Sequence, residues 1–566
     1  MTVLRGGLLV DGTGAPPRPA DVVIKADRIA AVEPPGTVSG DGDGDGDGDV
    51  VDLDGLVLAP GFIDCHTHYD AQVLWDPDLT PSSWHGVTTV VMGNCGFGIA
   101  PTRPAGRETI ARTLENVEGM SVQALFAGIP WTFETFPEYL DAVERAGPKL
   151  NVAVMLGHTP LRLYVLGEEA AERHATEPEI EQMRRLVGEA LDAGAIGFAS
   201  SRQPAHAGAW GKPVPSRLAT TDELMRLAEP LAERGRGTFA ITHGPDFGPA
   251  ELADLSVKTG RPVTWTALNA SPGAFRLLDK AEARGGEVWP QVACRPIVFQ
   301  VTLAEPAPFA RADAFAQVLS VPAAQRARFY RDPSWRDRAR ADVARQWYYG
   351  WDKVFVQETV AHPELADGPS LAVLAAQRGV DPLDVLCDVA LDDDLATRFR
   401  VVVANDDAES LAGLLRDDRT LLGLSDAGAH ASQLCDAVFA THLLEHWVRE
   451  TGTLTLEKAI WRITGHPAAV FGIPGRGRVA PGYFADLVAF DPATVGVERM
   501  ERVWDLPAGA DRLVARSRGL HQVWVNGKPA SDGDRDGAPR AGRLIRDGGT
   551  SAGPDPRTAG PDPRTR

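Results

Sequence analysis

From residue 58 onward, short apolar runs rich in β-branched residues alternate with longer stretches whose apolar positions recur at helical spacing. Eight such runs stand out: Gly61 to Asp64, Val87 to Met92, Asn151 to Leu156, Ala195 to Ala199, Thr238 to Thr242, Pro262 to Leu268, Glu287 to Ala293 and Thr420 to Leu424. Between them, Ile180 to Ala193 carries the helical period. Eight βα units predict an α/β fold with a TIM-type (β/α)8 barrel over residues 59–472. Such barrels keep their chemistry at the C-terminal ends of the strands.

The flanks read differently. Residues 1–58 contain short strands at Val3 to Val10, Asp21 to Lys25 and Arg28 to Val32, punctuated by Gly, Pro and Asp. Residues 473–530 alternate again near Asp486 to Asp491 and Gln522 to Val525. Together they predict one small β-sandwich domain built from both chain ends. Residues 299–355, rich in Arg, Ala and aromatics (Trp335, Trp347, Tyr348, Tyr349, Trp351), predict a mostly helical insertion. Its aromatics either shape a substrate site or form a core of their own. The Gly-Asp repeat at 39–49 lacks the spaced Glu of a calcium loop and reads as a self-repelling surface loop. The stretch 531–566 repeats Ala-Gly-Pro-Asp-Pro-Arg-Thr and predicts a disordered tail.

Composition narrows the partners. The 566 residues are 44% hydrophobic and 24% charged, with a formal net charge of −20. So acidic a chain is not expected to hold nucleic acid or an anionic membrane through its general field. Its five cysteines, at 65, 95, 294, 387 and 435, fit no disulfide framework and point to a reducing compartment. No apolar signal region follows the first residues and no run of 18 apolar residues occurs, so the cytoplasm is the expected location.

The candidate chemistry sits where the barrel pattern puts strand ends. On an extended chain, residues i and i+2 share a face, so His66 and His68 aim two imidazoles at one point. Two neutral imidazoles are half of a zinc site. The second strand runs into Gly93-Asn94-Cys95-Gly96, the third into Gly157-His158, the fifth into His243 and the eighth into Asp426. Cys65, on the opposite face from His66, reads as structural, whereas Cys294 could approach the site or pack in the core. Arg295 and Arg202 are candidates for gripping a substrate carboxylate, because the guanidinium fork matches it. His206 and His430 are possible pocket residues rather than ligands.

Four stretches resemble the amidohydrolase superfamily, and within it the N-acyl-D-amino-acid deacylases: Pro60-Gly-Phe-Ile-Asp-Cys-His-Thr-His-Tyr-Asp70, Gly93-Asn-Cys-Gly-Phe-Gly98, Ser425-Asp426 and Pro481-Gly-Tyr-Phe-Ala-Asp-Leu-Val488. The resemblance implies His66 and His68 as ligands of one metal position, Cys95 as a bridging thiolate, and His243 as a ligand of a second position. It implies Asp426 as the catalytic aspartate that also touches metal, and His158 and Arg162 as parts of a polar wall, with His158 a candidate substrate-binding residue. The sequence also departs from that pattern. Ala267 stands where a ligand His is expected and Asn269 where a Lys is expected. Pro290-Gln291 replaces a Pro-Tyr pattern, and the stretch after Asp426 lacks a His-Pro-Arg. One firm zinc site is expected, with a second weak or absent.

The expected reaction is metal-assisted hydrolysis of an amide of an N-acyl-D-amino acid or a related small molecule, with Asp426 as general acid and base. Two alternatives stand beside it: a hydrolase of a cyclic amide or other C–N bond, and a non-catalytic scaffold derived from the same fold.

Overall fold

The structure is a computed structural model that describes residues 1–38, 49–309, 311–347, 349–366, 368–531 and 539–546. Two compact units result: Met1–Cys294 with Glu409–Arg566, and Arg295–Ala408.

The first unit contains the barrel. Its strands are Phe62–Asp64, Val87–Met92, Asn151–Gly157, Gly197–Ser201, Thr238–Thr242, Val263–Thr266, Val288–Val292 and Leu421–Leu422, here called the first to the eighth. Each pairs in parallel with the next in sequence. All eight expected runs overlap one of these strands. Continuous burial explains their legibility: the second and third strands are buried at every position, which leaves no polar alternation to blur them. The circle is completed just beyond the first and eighth strands, where Thr67 bridges Ala427 and the His68 N–H donates to the Ala427 carbonyl at 2.7 Å. The helix expected at Ile180 to Ala193 is Glu177–Ala193; it starts at a Thr176–Glu179 capping box and ends at Gly194.

Both chain ends lie in one sheet. Leu487–Phe490 pairs antiparallel with Val57–Pro60 and with Leu520–Val525, and Val57–Pro60 pairs with Thr2–Leu9. Asp486 joins this sheet to the foot of the barrel. Its carboxylate accepts from Asn526 N–H at 2.7 Å and from Asn151 Nδ2 at 3.1 Å, and it is ion-paired with buried Arg476. Asn151 opens the third barrel strand, so the motif ending in Asp486 has a structural role there.

The tail expectation needs correction at 539–546. Here the Val152 N–H donates to the Arg543 carbonyl at 2.9 Å, the Ile545 N–H donates back to Val152 at 2.7 Å, and Leu544 and Ile545 are buried. Arg546 pairs with Asp141 and Glu144, each at 2.7 Å. An apolar pair following Gly542 can add to a strand edge. A side chain at 542 could not, because a Cβ there would meet the Leu150 carbonyl at 2.0 Å. The flanking Pro/Gly bias hid this. The repeats at 552–565, and the Gly-Asp run through residue 48, lie outside the described residues.

The second unit is longer than the expected 299–355, and a sheet accompanies its helices. It carries a three-stranded antiparallel sheet, Ile297–Val301, Arg398–Ala404 and Val354–Glu358, with helices such as Pro333–Gln346. Two of its paired strands come from opposite ends of the insertion, a pairing no local period reveals. Phe315, Tyr330 and Trp335 are fully buried in a core of its own, and Trp347, Tyr349 and Trp351 pack against that core. Tyr348 lies outside the described residues.

Candidate metal centre

The first strand stops at Asp64, so His66 and His68 lie beyond it rather than on it. They still converge, with ring centroids 5.3 Å apart. The chain past the strand stays extended because it is bonded on both sides: the Thr67 N–H to the Val91 carbonyl at 3.1 Å, and His68 to Ala427. The alternation therefore outlasts the strand.

Cys95 arrives from the turn after the second strand, in left-handed conformation with φ of 54°. Gly93 and Gly96 on either side also have positive φ. A Cβ at Gly93 would meet the Met155 carbonyl at 2.2 Å, and one at Gly96 would meet Ser200 Cα at 2.6 Å. The glycines let the turn dive between neighbouring strands and bring Cys95 Sγ to 3.4 Å from His66 Nε2. A non-glycine residue in this conformation costs energy, which the tight turn must offset.

Asp426 follows the eighth strand, also at positive φ (47°). Its Oδ1 is 3.1 Å from His66 Nε2 and 3.7 Å from His68 Nε2. It caps no helix. That local work falls to Ser425, whose hydroxyl donates to Asp64 Oδ2 at 2.7 Å and accepts from the Ala427 N–H at 3.1 Å. The Asp426 side chain keeps 34% of its surface exposed, so it can be reached.

These donors fit a metal. One ligand atom each from His66, His68 and Cys95 lies within 4.8 Å of the others. Ligand atoms on a tetrahedral zinc, with bonds of about 2.0–2.3 Å, stand roughly 3.3–3.6 Å apart. The 3.4 Å between Cys95 and His66 falls on that edge, and the 3.1 and 3.7 Å from Asp426 to the two imidazoles lie just to either side of it. The histidine tautomers agree. Gln291 Oε1 accepts from His66 Nδ1 at 2.5 Å, and Gln291 Nε2 donates to Thr264 Oγ1 at 3.1 Å, which orients the amide. Glu118 Oε1 faces His68 Nδ1 at 3.4 Å. With Nδ1 of His66 bonded and Nδ1 of His68 turned to Glu118, both Nε2 atoms face the cluster.

Protonation without metal tells the same story. Burial opposes charge on His66, but thiolate Cys95 and Asp426 outweigh it and raise its pKa to about 10. Burial would raise the Cys95 thiol; the two imidazoles bring it down to about 6. Asp426 is likewise held well below the carboxylate range by His66 and His68 against the pull of desolvation. Burial pushes Glu118 up to about 8, partly offset by His68. The centre is thus a thiolate and a carboxylate around imidazolium protons that a cation can replace.

Residues 49–530 match the amidohydrolase family. The chain belongs to the amidohydrolase family. Among relatives of this amidohydrolase, a D-aminoacylase of Alcaligenes xylosoxydans xylosoxydans is 33% identical over 547 residues, covering 96% of this chain and 97% of the relative. A crystal structure of D-aminoacylase superposes with a TM-score of 0.65 at 28% identity, covering 96% of this chain and 99% of that one. The N-acyl-D-glutamate deacylase of Bordetella bronchiseptica, solved with zinc and a phosphonate mimic of the tetrahedral intermediate, gives 0.66 at 26% identity, covering 96% and 99%.

The other expected site residues of this amidohydrolase divide. His243 is not part of the cluster; it stands edge-on to Trp265, 6.2 Å between centroids, with Nδ1 buried and unpartnered. Thr266, beside Ala267, places its hydroxyl 3.4 Å from His66 Nδ1. His206 is bonded through Nδ1 to Ser201 Oγ at 2.7 Å, and burial lowers its pKa to about 4. His430, lowered by burial, also feels Asp426 and His68, so both of these neutral imidazoles stand close to the centre. Arg202 follows the fourth strand, paired with Asp246 through Nη2 while Nη1 is buried without a partner. Arg295 opens the second unit.

His158 must be corrected as a substrate-binding residue. It is fully buried, with Nδ1 2.9 Å from Ser200 Oγ and Nε2 2.9 Å from Glu223 Oε1, so neither nitrogen is left for a ligand. Arg162 donates to the same Glu223 at 2.5 Å. Cys65 and Cys294 are buried, their thiols directed at the carbonyls of Leu422 and Phe439.

Two residues of the centre escaped sequence reasoning. Gln291 is a buried polar residue in an otherwise apolar strand. Glu118 ends the helix Arg107–Glu118, where a carboxylate opposes the helix dipole. Each position is locally unfavourable, and that was the available signal.

Proposed function

We propose that this chain hydrolyses the amide bond of N-acyl-D-amino acids, using one firm zinc held by His66, His68, Cys95 and Asp426. The observation that carries the reading is the pair of imidazoles with both Nε2 atoms turned toward Asp426, Gln291 bonded to Nδ1 of His66 and Glu118 beside Nδ1 of His68. The D-aminoacylase and N-acyl-D-glutamate deacylase relatives support the substrate class. The D-aminoacylase structure described with a binuclear centre activated by one metal and attenuated by the second makes a single working metal reasonable chemistry. Ala267 and the separate position of His243 favour one metal over two.

A zinc ion bound there would supply a nucleophilic water near neutral pH and polarise the scissile carbonyl. Asp426, ionised and exposed to the barrel mouth, accepts the proton of the attacking water. Water oxygen bonds to the carbonyl carbon, Asp426 returns the proton to the amide nitrogen, and the C–N bond breaks to give a carboxylate and a free D-amino acid. The unpartnered Nη1 of Arg202 suits the substrate carboxylate. The five cysteines, none in a disulfide, fit a reducing compartment, which favours the cytoplasm.

The test is metal content of purified protein beside a screen of N-acetyl-D- and N-acetyl-L-amino acids, with Asp426→Ala as control. About one zinc per chain and D-selective hydrolysis absent from the variant support the reading. No metal and no turnover on any amide overturn it.

A further inference from the structure

We propose that Glu118 is a positioning residue of the metal centre, holding His68 so that its Nε2 lone pair points into the ligand cluster; this rests on the metal-dependent reading above. Glu118 reaches the site from a helix, not from a strand end. Its side chain is only 4% exposed, and its carboxylate faces His68 Nδ1 at 3.4 Å. Among the described residues no Arg or Lys pairs with it. Burying an acidic side chain with no cation beside it is costly, so such a group persists only where a polar partner compensates. His68, whose Nδ1 stands 3.4 Å from Oε1, is the partner that faces it.

The backbone fixes Glu118 from both sides. Helix Arg107–Glu118 ends on Gly119 at φ of 64°, whose N–H returns to the Glu115 carbonyl at 3.1 Å. The Glu118 carbonyl accepts the His430 N–H at 2.5 Å, which ties the helix end to the loop carrying Asp426. A Cβ on Gly119 would stand 3.3 Å from His430 Nδ1, so the close approach depends on glycine. The two histidines are therefore held unequally: His66 by the neutral amide of Gln291, His68 by a carboxylate. A carboxylate behind an imidazole fixes its tautomer and strengthens it as a ligand.

Two variants test this. Glu118→Leu keeps the volume and removes the acceptor; Glu118→Gln keeps an acceptor without the charge. Metal affinity is read by competition with a chromophoric chelator, ligand geometry by the visible spectrum of the cobalt(II)-substituted protein, and folding by circular dichroism. Glu118→Leu is expected to weaken metal binding roughly 10–100-fold and to alter the cobalt bands, with Glu118→Gln recovering most of both. A folded Leu variant with wild-type affinity and an unchanged cobalt spectrum overturns the inference alone. So does a Gln variant that loses its fold as fully as the Leu variant, since the role is then structural. Wild-type protein that takes up no metal overturns the hydrolase reading and this inference together.

Discussion

Two clusters of histidine and carboxylate occupy the same barrel, and they differ in what is left unsatisfied. In one, His158, Glu223, Arg162 and Ser200 are completely buried and bonded to one another. In the other, His66, His68, Cys95 and Asp426 bring lone pairs to one point, and Asp426 opens to the barrel mouth. A closed, mutually bonded network adds rigidity. A convergent set of donors with access from outside can bind a cation and a substrate. The residue types are nearly the same, so chemistry follows from convergence and exposure rather than from composition.

The sharpest way to break this contrast is Asp426→Asn. Its loss of a proton carrier should lower kcat by about 10²–10⁴ with folding unchanged, measured by steady-state hydrolysis and circular dichroism. Retained activity would place the general base elsewhere. The matching change in the closed cluster, Glu223→Gln, should cost about 3–5 kcal/mol of stability by leaving Arg162 without its anion, measured by denaturant unfolding. An unchanged midpoint would show that the closed cluster contributes nothing to stability.

The closed cluster should also show in acid. Against the pull of desolvation, His158 and Arg162 hold the Glu223 pKa down at about 2, below an unfolded value of about 4.3. A depressed carboxyl contributes stability that is present above the unfolded pKa and is lost as pH falls toward the folded pKa. Unfolding scans should therefore lose stability between about pH 5 and pH 2, and Glu223→Gln should flatten that limb.

Smaller effects separate the two metal positions of the open cluster. Cys95→Ala should strip the metal, whereas His243→Ala should leave about one per chain, read by elemental analysis. Equal losses would bring His243 into the firm site. Because His66 must give up a proton held to about 10, wild-type metal affinity should rise with pH up to that value. Ala267→His supplies the missing third protein ligand of a catalytic site and should raise the metal content from about one toward two.

Much of this architecture is legible in the order of residues. The barrel strands are, because they recur as short β-rich runs between helical stretches, and burial at every position of the second and third leaves them little room for polar residues. The insertion's sheet is not, since it pairs Ile297–Val301 with Arg398–Ala404 across most of the insertion's length. At the site, Cys95 and the two histidines carry local marks: a glycine-flanked turn and a one-residue spacing. His158 carries the same kind of mark and yet belongs to the closed cluster.

What the sequence alone determined, then, is the periodic part and the chemistry at the strand ends: the (β/α)8 order, His66 with His68, Cys95, Asp426, and the absence of a histidine at 267. Local sterics and burial set these, and they act over a few residues. Only the tertiary structure decided which acceptors stand behind the ligands. Gln291 reaches His66 across 225 positions, and Glu118 meets His68 from the end of a helix. Such partnerships are fixed by distances in the folded barrel, and no local period records them.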